Sequence, residues 1–235
     1  MSIWEKKRTW NKTSTELIGT SFAVLLDDKY LHTPKKTRVL LPTLKLAKKV
    51  AEEWRQQKEI INPSKMPYSR LVYSTIDKVS KNFDSVVSDI MGYGDTDLVC
   101  YRAVSPEDLV MLQNKHWDPI LSWARKELKI NLKVIYGINY KAQDPIQLQK
   151  LSKEISSYNS FLLTGLYDLV TISGSLVVAL AVYYKHLTPK VGFDISVLDE
   201  DWQRKKWGQD EESIKNRAKK FEEFQIAFRF LEFLE

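Results

Sequence analysis

Residues 169–184, LVTISGSLVVALAVYY, run for 16 positions without a charge, and no other stretch limits the fold so tightly. A helix that spans a bilayer needs about 20 apolar residues. This run falls short, is closed upstream by Asp168 and is interrupted by Ser173, Gly174 and Ser175. It reads as a buried helical hairpin, 161–172 and 175–185, rather than a membrane span. Two helices that are apolar all round need further helices about them to exclude water. Residues 146–158 are amphipathic, and Phe221, Phe224, Phe228 and Leu231 follow one another at steps of three, four and three. The second spacing predicts a tail helix folded back on the body.

The first 42 residues differ in pattern from the rest. Ser21–Asp28, Tyr30–Pro34 and Arg38–Pro42 are short β-prone runs separated by the turn-like DDK and KKT, which predicts a small antiparallel meander. Phe22, Val24 and Leu26 alternate with Ala23 and Leu25, which are also apolar, so both faces of that strand are expected to be covered. From Thr43, a capping residue, Ala47, Val50, Ala51 and Trp54 fall on one helical stripe. Pro63 and Pro67 break the pattern over 61–70 and mark an ordered connection. Ser105 as cap, Pro106 at the first helical position and Asp108 predict another helix start. Pro119 lies inside the same periodicity, so that helix is expected to kink or to restart at Asp118, with Trp117 and Asp118 exposed at the corner. Leu132–Tyr136 reads as an isolated strand. The expected class is α+β: a small N-terminal antiparallel β-rich domain, 1–42, followed by a larger mainly α-helical domain, 43–235.

Residues that carry chemistry are few. Cys100 is the single cysteine, which excludes an internal disulfide and every cysteine-rich zinc pattern. His32, His116 and His186 lie far apart, with no second ligand type at zinc spacing. No glycine arrangement approaches a phosphate-binding loop, and Gly174-Ser175-Leu176 lacks the second glycine of a serine-hydrolase elbow. No enzyme, cofactor or metal is expected. The balance of 36 basic to 30 acidic residues gives +6 and admits a basic nucleic-acid-binding protein that uses the helices around Lys45 to Lys58. The bases are scattered among acids, so a solvated lysine-rich surface is the plainer reading. The opening MSIWEKKRTWNKT has no apolar run behind its basic residues and does not resemble a cleavable presequence. A bacterial cytoplasmic protein is expected, with a mitochondrial matrix protein after presequence removal as the alternative.

One segment resists a plain account: DEDWQRKKWGQDEE, residues 199–212. Its charges are spaced as helical pairs, Glu200 with Arg204, Asp201 with Lys205 and Glu211 with Lys215. Ser196 and Asp199 have the spacing of a capping box. Pairing and capping do not explain Trp202 and Trp207. Tryptophan is enriched in protein–protein contacts, and five residues of helix set these two about 140° apart, so one face is not expected to hold both.

Taken in order, LLDDKYLHTPKK, LPT at Leu41, AEEWRQQKEIINPSKMP, DLVCYRA, LQNKHWDPILSWA, GSL at Gly174 and the acidic block resemble the assembly chaperone family that acts on the α subunit of F-type ATP synthase. The family carries a glycine in the first hairpin turn, where this chain has Asp28. The resemblance implies the same two-part fold, no catalysis, and ATP-independent shielding of the unassembled α subunit until it joins β. It also implies a monomer when free, without stable membrane insertion or a nucleic-acid partner. Carried over by position, the partner-binding residues are Glu200, Asp199, Trp202, Gln203, Trp207, Gly208 and Asp210, with Glu200 the sharpest. Trp54, Asp97, Tyr101, Arg102, Trp117 and Asp118 also match and are assigned to architecture.

Overall fold

Strands β1 (Thr13–Ile18), β2 (Ser21–Leu26), β3 (Lys29–Tyr30) and β4 (Leu40–Leu41) form an antiparallel sheet in which β2 pairs with all three others. The computed structural model describes residues 7–208 and 210–235. The presequence reading of residues 1–6, and Gln209 in the acidic block, lie outside the described residues. Ala23 and Val24 are buried while the rest of β2 is half-buried, so only the middle of the strand is covered on both faces. Strand β1 has no counterpart among the sequence expectations, because Thr13, Ser14, Thr15 and Glu16 lack an apolar alternation. Such a composition suits a strand whose outer edge meets water. The first hairpin turn does carry a glycine, Gly19, in the left-handed region at φ 60°. In the next turn the left-handed residue is Asp27, at φ 52°, not Asp28. Backbone N–H groups of Lys12 and Asn11 donate to its carboxylate at 2.8 and 3.0 Å and hold its pKa below the ordinary value.

Packing divides the chain into two compact units, the first running to Phe83 and including Ser160–Gly165 and Arg229–Glu235. The expected boundary after residue 42 falls inside this unit, because helix α1 (Leu44–Arg55) lies against β1 and β2. Thr43 caps α1 as expected, its hydroxyl accepting from the Leu46 N–H at 3.2 Å. Helix α2 (Pro67–Asp77) begins at N-cap Met66, which has no side-chain oxygen to offer. Buried Glu53 of α1 serves instead, accepting from the N–H groups of Tyr68 and Ser69 at 2.8 and 2.7 Å and from the Ser69 hydroxyl at 2.6 Å. Burial pushes the Glu53 pKa up against those bonds. The expected connection over 61–70 is therefore shorter than its prolines suggest: one 3-10 turn, Pro63–Lys65, and then Pro67 opening α2.

The second unit comprises Asp84–Asn159 and Leu166–Phe228. It draws on α3 (Phe83–Asp95), α4 (Glu107–Trp123), α5 (Pro145–Ser156), α6 (Ser160–Ser173), α7 (Leu176–Tyr183), α8 (Pro189–Ser196), α9 (Leu198–Trp207) and α10 (Glu211–Glu232). The uncharged run forms the expected hairpin of α6 and α7, broken where Gly174 adopts φ 68°. Ser175 caps α7 by accepting from the Val178 N–H at 3.0 Å. Every residue from Leu176 to Val182 is at most 1% exposed. Among the described residues no helix is long and apolar enough to cross a membrane.

Three local expectations are corrected here. Pro106, with ψ 163°, is the N-cap of α4, so the helix starts at Glu107 and Ser105 stays outside it. Helix α4 continues through Pro119 and ends in a π-helical turn, Ala124–Leu128. Trp117 is accordingly fully buried rather than exposed at a corner, its Nε1 donating to the Ile195 carbonyl at 3.0 Å. Residues Ile135–Tyr136 form β6, which is not isolated but pairs in parallel with β5 (Tyr101–Arg102). Arg102 is buried, stacks over Trp117, bonds the Val99 carbonyl at 3.0 Å and pairs with Asp118 at 2.9 Å.

Candidate functional site

Helix α9 has Asp199, Glu200 and Asp201 in its first turn and Arg204, Lys205 and Lys206 in its last, an order that complements the helix dipole. Most of the expected pairs do not form. Arg204 pairs with Asp201, three residues before it. Asp201 also accepts from Arg217 of α10, Nε at 3.0 Å and Nη2 at 2.9 Å, and Nη2 reaches on to Asp194 of α8 at 2.8 Å. Lys190 pairs with Asp194 from within α8. Burial opposes ionisation of Asp194, but the bonds from Lys190 and Arg217 outweigh it and hold its pKa below the ordinary value. Of the expected pairs only Glu211 with Lys215 is made, at 3.5 Å. Because Asp201 takes both arginines, Glu200 stands exposed with no ion pair among the described residues.

The expected capping box is absent too. Ser196 still belongs to α8 and donates to the Phe193 carbonyl at 2.8 Å, while Val197 is the N-cap of α9. With one residue between the two helices, Ser196 keeps a helical backbone and cannot turn its oxygen onto α9. Asp199 instead accepts from Nε2 of buried Gln113 in α4, at 2.9 and 3.1 Å. Gln113 in turn accepts from the Ala103 N–H at 2.8 Å.

The two indoles meet after all. Their ring centroids are 6.1 Å apart and edge-to-face at 78°. Helical side chains lean back over the preceding turn, so Trp207, at the last position of α9, reaches Trp202 in spite of the angle between their Cα–Cβ directions. Trp202 Nε1 donates to Asp108 of α4 at 3.2 Å, and Lys206 pairs with the same carboxylate at 2.9 Å. The Lys206 bond is the first cause of a lowered Asp108 pKa. Trp207 itself is 76% exposed.

The seven expected residues therefore divide. Glu200, Gln203, Trp207, Gly208 and Asp210 line one shallow groove of about 400 Å³ between α9 and α10. Asp199 and Trp202 turn the other way and tie α9 to α4. Gly208, at φ 93°, makes the corner between the helices, and Asp210 starts α10 by accepting from the Ser213 N–H at 2.6 Å. The α10 wall, Ser213, Asn216, Arg217 and Lys220, was missed from sequence. Its signal was the spacing of those four positions on one helical face.

A family model for the ATP12 chaperone protein matches residues 7–125. The chain belongs to the ATP12 chaperone family. The crystal structure of Atp12 from Paracoccus denitrificans is 39% identical, with TM-score 0.94, over 97% of this chain and 98% of that one. An aspartate-to-lysine mutant of P. denitrificans Atp12p aligns at 38% identity and TM-score 0.94, again over 97% and 98%. A candidate chaperone from Agrobacterium tumefaciens aligns at 33% identity and TM-score 0.93, over 97% of this chain and 86% of that one. The N-terminal antiparallel strands followed by a mostly helical region are those of the ATP12 family, and the chain is a chaperone of ATP synthase assembly. The matched solved structures extend beyond the family model into the C-terminal third, where α9 and α10 lie.

Proposed function

We propose that this ATP12-family protein binds the unassembled α subunit of ATP synthase, shields its β-facing surface without ATP, and hands it over for assembly. The observation that carries the reading is the α9–α10 groove, where a largely exposed Trp207 and a Glu200 with no ion pair among the described residues line one concavity. An orphan subunit exposes the large patch meant for its partner and associates with copies of itself. Moderate affinity for that patch keeps the subunit dispersed, and the true partner displaces the chaperone by binding more tightly. Catalysis plays no part in this reading. Glu53 serves as a buried helix cap, and Cys100 is buried with its thiol pKa pushed up by that burial, which suits packing rather than nucleophilic attack.

The test is co-expression with α subunit followed by pull-down. Wild-type protein should recover soluble α subunit in a stable complex, and Glu200→Lys should fold with an unchanged melting curve but recover none. Wild-type protein that leaves α insoluble and unbound would overturn the proposal.

A further inference from the structure

The groove's own charges point to what it holds, given the client-binding reading above. Glu200, Gln203, Arg204 and Trp207 stand at i, i+3, i+4 and i+7 on one stripe of α9. Most charges around that stripe are consumed internally. Arg204 is matched by Asp201, Arg217 by Asp201 and Asp194, and Asp210 caps α10. Among the described residues lining the groove, Glu200 and Lys220 alone keep a charge with neither an ion pair nor a capping role. Two helical turns along from Glu200, about 10 Å of rise, Trp207 is braced edge-to-face by Trp202 and remains mostly exposed.

A free carboxylate and an exposed indole at the two ends of one groove have a specific complement. A guanidinium is flat, makes two parallel bonds to a carboxylate and stacks on an aromatic ring; an ammonium offers only a point charge. An apolar guest would leave the Glu200 charge desolvated and unpaired, and an acidic guest would be repelled. We infer that the α9–α10 groove seats an arginine of the client, its guanidinium paired with Glu200 and lying against Trp207. Lys220, on the opposite wall, repels that guest and would attract an acidic one, so its removal discriminates between them.

The experiment is calorimetric titration of the full chain with purified ATP synthase α subunit, for wild type and for Glu200→Gln, Trp207→Leu, the double variant and Lys220→Ala, each shown to melt like wild type. Glu200→Gln and Trp207→Leu should each weaken binding about tenfold or more. The double variant should lose less than the product of the two, because both groups hold one guanidinium. Lys220→Ala should bind about two- to threefold tighter at low salt. Wild-type protein that does not bind α subunit would sink the client reading, and the arginine with it. Wild-type binding that is insensitive to Glu200→Gln, strictly additive losses, or weaker binding by Lys220→Ala would overturn the arginine and leave the client reading standing.

Discussion

Asp97 is fully buried, yet it accepts from the Val99 N–H at 3.1 Å, the Ser175 hydroxyl at 2.6 Å and the Val177 N–H at 2.9 Å. One carboxylate thereby starts both a 3-10 turn, Leu98–Cys100, and helix α7. Burial pushes its pKa up to about 6 from the ordinary 3.8, against the pull of those bonds. The folded state thus favours the protonated acid. Its contribution to stability is complete below the ordinary value and declines as pH rises through about 6. Asp97→Ala does not titrate, so it should cost about 3 kcal/mol near pH 4 and clearly less near pH 7. Urea denaturation of both proteins at the two pH values checks this, and a cost that grows with pH would contradict it. Glu200 stands at the other extreme, on the surface. Its spacing from Arg204 suggested self-neutralisation, and the structure spends that arginine on Asp201 instead. A charge that joins no ion-pair network among the described residues keeps its capacity to pair with another molecule.

Helix α8 packs on α7 through Gly192, where an added Cβ would fall 2.3 Å from Cγ2 of Val182. Val182 is fully buried and branched at Cβ, so it cannot swing aside like the end of a long side chain, and Gly192→Ala should destabilise the protein by about 1–3 kcal/mol. A lower urea midpoint with an unchanged slope would show it. At this scale the legibility of the sequence follows the strength of the local pattern. The 3.6-residue stripes of α1, α5 and α10, the apolar α6–α7 hairpin with its break at Gly174, and the Thr43 cap could all be read directly. Helices α2 and α3 have no counterpart among the expectations, because Pro63 and Pro67 look like a continuing loop and α2 is capped by Glu53, a residue in another helix. The β5–β6 pairing joins residues more than thirty positions apart, which no local pattern encodes. The candidate site was legible as a block of residues and not as a surface. The bonds of Arg217 and the place of the α10 wall in the groove arise only when α8, α9 and α10 are brought together, and the contact between the two indoles depends on side-chain lean along α9 rather than on spacing.

On the scale of the molecule, the first compact unit is assembled from three separate pieces of chain, the last of them Arg229–Glu235. Within that unit the Thr43 hydroxyl donates to the Phe233 carbonyl, Tyr68 packs edge-to-face on Phe233 at 5.3 Å, and Phe161 stacks on Phe230 at 6.5 Å. Deletion of residues 229–235 should therefore expose amides of β2 and α1, far away in sequence, to rapid hydrogen exchange. Protection of β2 and α1 equal to that of the full chain would refute this. Thr43 and Phe233 lie 190 residues apart, so the N-terminal sheet leaves the ribosome long before its last packing partners are made. The unit cannot be completed until residues 229–235 have been made. A chaperone of ATP synthase assembly thus depends, for its own first unit, on a segment made long after the sheet it completes.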